Sequence, residues 1–201
     1  MGRWSVLLPM LVSTIAAISL FSVFTYITPY LEQVTGLSPR SVTAALLTIG
    51  LGLTAGNLIG GRLADRSLIR TIIGSFTGLV AVLAVLALVG ADEPAVLIVL
   101  AVWGALAFAL VSPLQTWVVE AATGAPNLAS TLNQGAFNLG NALGAGLGGA
   151  ALTAGMGYAW LPLIGAGVAA LGLLLVLASR AWPAQLAEAQ VSPCLACPTR
   201  D

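Results

Sequence analysis

Apolar positions run along this chain in six long stretches, residues 5–30, 42–60, 71–90, 94–118, 128–155 and 158–179, separated by short polar segments. Each is close to the ~20 residues that a helix needs to cross ~30 Å of hydrocarbon. No Lys, Arg, Asp or Glu falls in the central part of any of them. The pattern predicts an all-α membrane protein with one six-helix bundle over residues 1–180. Residues 181–201, with Pro183, Pro193 and Pro198 among polar side chains, read as a disordered or loosely packed cytoplasmic tail.

Composition narrows the classes further. Hydrophobic residues make up 59% of the 201 and charged residues 7%, mean hydropathy is +1.02, and the chain has neither His nor Lys. With a formal net charge of zero and no basic run, it lacks the cations that neutralise phosphates, so nucleic acid is not an expected partner. An intramembrane enzyme would need a nucleophile beside a base, or metal ligands. Ser and Thr are plentiful, but no His or Lys is there to activate them. Cys194 and Cys197 form a C-x-x-C pair, two ligands where a closed zinc site takes four. No cofactor or metal is expected.

The arginines set an orientation, because Arg near span ends is retained on the cytoplasmic side. With the N-terminus inside, Arg3, Arg62, Arg66, Arg70, Arg180 and Arg200 all fall inside and only Arg40 outside. Asp92 and Glu93 then mark an outer turn, and both termini are cytoplasmic. Trp4, Trp160, Trp182 and Tyr158 stand at span ends, where amphipathic rings favour the interface. The first span continues through Phe24 and Ile27, longer than a signal-peptide core, and is expected to stay attached.

The first three spans resemble the last three. Phe24 to Pro29 and Phe108 to Pro113 each place a Phe five residues before Pro, and Gly52, Gly56 and Gly60 on span two match Gly140, Gly144 and Gly148 on span five, at offsets of about 84 and 88 residues. Three is odd, so the second triplet would insert upside down, giving a 3+3 inverted repeat. Glycines four apart share one helix face and let another backbone approach closely. On that ground spans two and five are expected to form the seam against a second bundle.

Gly61-Arg62-Leu63-Ala64-Asp65-Arg66, expected in a short cytoplasmic turn where Gly61 permits tight bending, resembles the G-x-x-x-D-R loop motif of the major facilitator superfamily. The run Leu128 to Asn133, continuing from Phe137 to Gly144, looks like the eleventh helix of its arabinose-efflux and drug:proton antiporter branch, and Tyr26 to Leu31 with Gly36-Leu37-Ser38 is similar to the end of the seventh. The resemblance covers the chain to about residue 180 and implies the C-terminal six-helix half of a twelve-helix carrier. It also implies a cytoplasmic latch at Gly61, Asp65 and Arg66 that locks one access state. Ser67-Leu68-Ile69-Arg70 departs from the family by offering one Arg instead of Gly and paired basic residues, which weakens the latch or pairs it differently.

Polar side chains within the spans are costly against lipid and should face helices or a wet cavity. Ser22, Thr25 and Tyr26 on span one, Ser112 and Gln115 on span four, and Gln134, Asn138 and Asn141 on one stripe of span five are the candidates for the substrate cavity; in the family, the first helix of each triplet lines it. No Asp, Glu or His is embedded, while Asp65 and Glu120 lie near the cytoplasmic boundary. The expectation is efflux of a small molecule (sugar, drug or amphiphile) across the inner membrane by alternating access, by a half or truncated carrier. Its partners are the bilayer, the substrate and a second six-helix bundle, an N-terminal half or a homodimer mate. The alternative is a non-transporting membrane subunit or an inactive transporter remnant.

Overall fold

The computed structural model describes the backbone of residues 4–122 and 124–191, and side-chain surroundings over 6–122 and 124–180. Among these residues all regular structure is helical: α1 (Trp4–Phe24), α2 (Ile27–Gln33), α3 (Pro39–Val89), α4 (Glu93–Ala109), α5 (Val111–Ala121), α6 (Pro126–Thr153), a 3-10 turn (Tyr158–Trp160) and α7 (Leu161–Val191). Four stretches are long and apolar enough to cross a membrane: Val6–Gln33, Pro39–Val89, Glu93–Ala121 and Tyr158–Arg180. The chain is an integral membrane protein.

The expected spans two and three arrive as one 51-residue helix, α3, with a single non-helical residue at Ser67 (φ −162°, ψ 94°). At 1.5 Å per residue such a helix would be about 76 Å long, more than twice a bilayer's ~30 Å core, so the break at Ser67 is what lets the chain turn back. The expected loop at 61–66 is therefore helical up to the break. Gly61 makes no turn; the glycines with left-handed backbone are Gly36, Gly124 and Gly155 among the described residues. At Gly155 the geometry has a clear purpose. Its N–H reaches the Leu152 carbonyl and that of Met156 the Ala151 carbonyl, closing the end of α6.

Spans one and four are each broken near their ends, and proline is the cause. Pro lacks an N–H and its ring collides with the carbonyl four residues back. Pro29 thus disrupts the helix at Thr25 and Pro113 at Ala109, and the chain breaks at Thr25–Tyr26 and at Leu110. Helix starts follow ordinary capping: Ser38 accepts from the Ser41 N–H ahead of Pro39, and Asp92 from the Ala95 N–H ahead of Glu93-Pro94. At the far end, α7 runs on to Val191, so backbone described for 181–191 is helical where a loose tail was expected. Cys194 and Cys197 lie outside the described residues.

Packing inverts the habit of soluble proteins. On α7 the inward positions include Gly165, Ala166, Ala169 and Gly172, while Leu171 (52% exposed) and Leu174 (62%) point outward. Large apolar side chains lose nothing against lipid, whereas small ones let backbones close up. The glycine ladders show the same effect, but not at a seam with another bundle. A Cβ on Gly52, Gly56 or Gly60 would collide with the backbone of Ala101, Ala105 or Ala109 on α4. One on Gly140 or Gly144 would strike the Thr14 or Ile18 carbonyl of α1, and one on Gly148 the Tyr26 ring. Both ladders are consumed within the chain, α3 against α4 and α6 against α1.

Side-chain hydrogen bonds tie the remaining elements. The Ser19 hydroxyl donates to the Gly165 carbonyl at 2.7 Å, joining α1 to α7. Buried Tyr30 donates to Leu86 O at 3.0 Å, and Thr35 to Gly90 O at 2.8 Å. These two bonds bring the end of α2 to the end of α3, so the first and third apolar spans finish at the same end of the bundle.

Candidate functional site: a polar chamber between α1, α4, α5 and α6

A chamber of about 180 Å³ lies where α1 faces the α4–α5 break and α6. Carbon supplies most of its wall, including Leu20, Phe108 and Phe137, and its polar groups are Ser13, Gln115, Asn133 and Gln134. No lining residue is ionisable.

A relay of amides organises one side. The Asn133 amide donates to Gln115 Oε1 at 2.6 Å, and Gln115 Nε2 donates to the Ser130 hydroxyl at 2.6 Å. Ser130, Asn133 and Phe137 share a face of α6 because residues three, four and seven apart align on a helix. The pairing holds Gln115 in one orientation and leaves two atoms unpaired. Asn133 Oδ1 and Ser13 Oγ are buried without a hydrogen-bond partner among the described residues, in side chains 5% and 1% exposed. Leaving such a group unsatisfied costs about 1–3 kcal/mol; both belong to residues that line the chamber.

The expected cavity residues fall at different places relative to this chamber. Gln115 and Gln134 line the chamber. Asn138 does not: it is exposed on the outer face of α6, and Asn141 is partly buried with an unpaired Oδ1, away from the chamber lining. Gln134 and its neighbour Asn133 both reach this chamber, while Asn138 and Asn141 lie outside its lining. Ser22 is fully buried and donates to Ser19 O at 2.9 Å within its own helix. Tyr26 donates to Ala145 O at 2.7 Å, bracing the break in span one against α6. Thr25 is exposed, and Ser112 is half-buried beside Gly61. Ser13, Ser130 and Asn133 complete the site. Asn133 carried a signal as an amide within an apolar span, whereas nothing in α1 sets Ser13 apart from its other serines.

At the other feature singled out in the sequence, Asp65 and Arg66 are exposed on the last turn before Ser67. They stand at the hinge between the two arms of α3, with Gly61 packed near Ser112 of α5.

Helices broken near proline thus surround an uncharged polar chamber, with leucines exposed on the outside of the bundle. Residues 9–193 match the family model described as Major Facilitator Superfamily, and the chain belongs to that superfamily. It is 45% identical over 177 residues to the inner membrane transport protein YdhP of Escherichia coli (strain K12), covering 88% of this chain and 46% of that protein. It is 37% identical over 146 residues to the putative transporter AraJ of the same strain, covering 71% of this chain and 36% of that protein. With the chloramphenicol resistance protein of Streptomyces lividans it shares 36% identity over 146 residues, 69% of this chain and 35% of that protein. The chain spans about half the length of the curated relatives it matches, or less.

Proposed function

We propose that the chain is one bundle of a transporter that moves a small, uncharged or weakly polar molecule by alternating access, in the direction of efflux, across an inner membrane. The observation that carries this reading is the uncharged chamber beside a broken helix, lined by Ser13, Gln115, Asn133 and Gln134. Its polar side chains can hydrogen-bond a substrate or its water, and none of them charges the path. Discontinuous helices at a binding site are a recurring device of secondary carriers. The names of the relatives, a transport protein and a drug-resistance protein among them, support the same class.

In this reading the chain crosses the bilayer six times, α3 contributing two crossings about Ser67 and the less apolar α6 one. Reciprocal ladders support the 3+3 inverted repeat: span two packs on span four through Gly52, Gly56 and Gly60, and span five on span one through Gly140, Gly144 and Gly148. Both termini are cytoplasmic, which puts Asp65 at the inner end, where it biases the access equilibrium as a latch. The second bundle is an N-terminal half or another copy. It meets the outward leucines of α3 and α6, such as Leu51, Leu58, Leu139 and Leu143, because the glycines are already occupied.

The test is transport of neutral drugs and sugars in vesicles containing the chain with an N-terminal half, and the chain alone. Uptake that falls when Asn133 becomes Leu, with folding retained, supports the reading. Absence of transport in every combination would leave a non-transporting subunit or an inactive remnant.

A further inference from the structure

A second hollow, about 520 Å³, lies between the two arms of α3 and the side of α4 and shares no lining residue with the polar chamber. Ile59, Leu63, Gly74, Val102 and Leu106 supply its apolar length, and Arg66 and Arg70 stand at one end. The groove opens sideways. Ile59 is 50% exposed, Leu63 43% and Val102 46%. Its lining contains no carboxylate to answer the two guanidiniums, and both arginines are exposed.

We propose that this groove is a binding site for an anionic phospholipid, one acyl chain lying along α3 and α4 and the headgroup phosphate held between Arg66 and Arg70. The matching shape is an amphiphile: carbon along the length, one anion at the end where the helix pair reaches the bilayer surface. Guanidinium is the side chain best suited to phosphate, because its planar donors match two oxygens at once. Basic pockets between membrane helices recognise anionic headgroups for this reason. A helix from a second bundle would have to bring a carboxylate to the same height. A phospholipid is already there.

The inference stands apart from transport, since it needs only a chain folded in a membrane. Ser67 lines the groove and is also the residue at which α3 breaks, so a lipid seated there contacts both arms of the hinge.

The experiment is native mass spectrometry of the full chain, released from detergent, with phosphatidylglycerol and phosphatidylcholine of identical acyl chains. Preferential retention of phosphatidylglycerol is expected. Replacing both Arg66 and Arg70 by Gln should lower that preference, by about fivefold per arginine. Arg62→Gln removes the same charge from a residue outside the groove and should leave the preference intact. Gly74→Leu projects a side chain into the groove from a position where a Cβ meets nothing within 4 Å, so it should fold normally and weaken retention of both lipids. Equal retention of the two lipids by the unaltered chain would overturn the proposal, as would an unchanged preference in the double variant. Displacement of phosphatidylglycerol by millimolar inorganic phosphate would mark a bare phosphate site instead, and would also overturn it.

Discussion

Gly144→Ala tests the packing argument at its sharpest point. A methyl built on Gly144 would sit 2.6 Å from the Ile18 carbonyl oxygen, 3.0 Å from Ile18 Cα and 3.1 Å from Ser22 N. All three atoms are backbone of α1, so no side-chain rotation can relieve the clash; the two helices must move apart by several tenths of an ångström along a shared ladder. Overpacking of this kind costs about 1–3 kcal/mol, a loss of about five- to more than a hundredfold in the folded fraction's equilibrium. Gly146 lies two residues away on the same helix, where an added Cβ meets nothing within 4 Å. There Ala should be neutral or stabilise by up to about 1 kcal/mol, through the helix propensity that Gly lacks. The assay is thermal or denaturant unfolding of the chain in a mild detergent, comparing the two variants with the parent. Because the ladder is intramolecular, the Gly144 loss should be independent of protein concentration. If Gly144→Ala and Gly146→Ala unfolded together, or if the loss vanished on dilution below any dimer's dissociation constant, the assignment of this ladder to the α1–α6 contact would be wrong.

The other expectations are briefer. Tyr30→Phe removes the buried hydroxyl that bonds Leu86 O and should cost about 0.5–1.5 kcal/mol, the net worth of one hydrogen bond, read in the same unfolding assay. Gln115→Ala strands both Asn133 and Ser130, and in an assembled carrier it should weaken substrate binding directly, measured by equilibrium binding alongside circular dichroism to verify folding. Asp65→Asn keeps the shape and removes the charge at the hinge, so turnover should fall while equilibrium binding changes little, because a lost differential contact shifts a two-state balance without touching the site. Unchanged turnover, or abolished binding, would reject the latch. A single Cys at position 92 in a Cys-free background should be labelled by an impermeant reagent from outside the cell; labelling only from the cytoplasm would reverse the proposed topology.

What the residues alone made legible were properties that accumulate along the chain: apolar length, the exclusion of charge from the span centres, the family motif at 61–66, and the glycine periodicity. The first two follow from the bilayer as solvent, which acts on every residue regardless of neighbours; the motif rests on resemblance. The breaks ahead of Pro29 and Pro113 have a local cause, yet the apolar runs 5–30 and 94–118 read as unbroken spans. Facing is different. A helix apolar all round carries no stripe to say which side is inward, so Leu100 and Val102 on α4 look alike in sequence although one is buried and the other half exposed. The amides of α6 were visible as a group, yet the pairing of Asn133 with Gln115 across the gap, a partner 18 residues away, appears only in the folded bundle. The glycine ladders were visible as close-packing faces, but a face does not name its partner. Only the assembled bundle, in which α4 and α1 reach those faces first, decided that they are spent within the chain, leaving leucine for whatever lies outside.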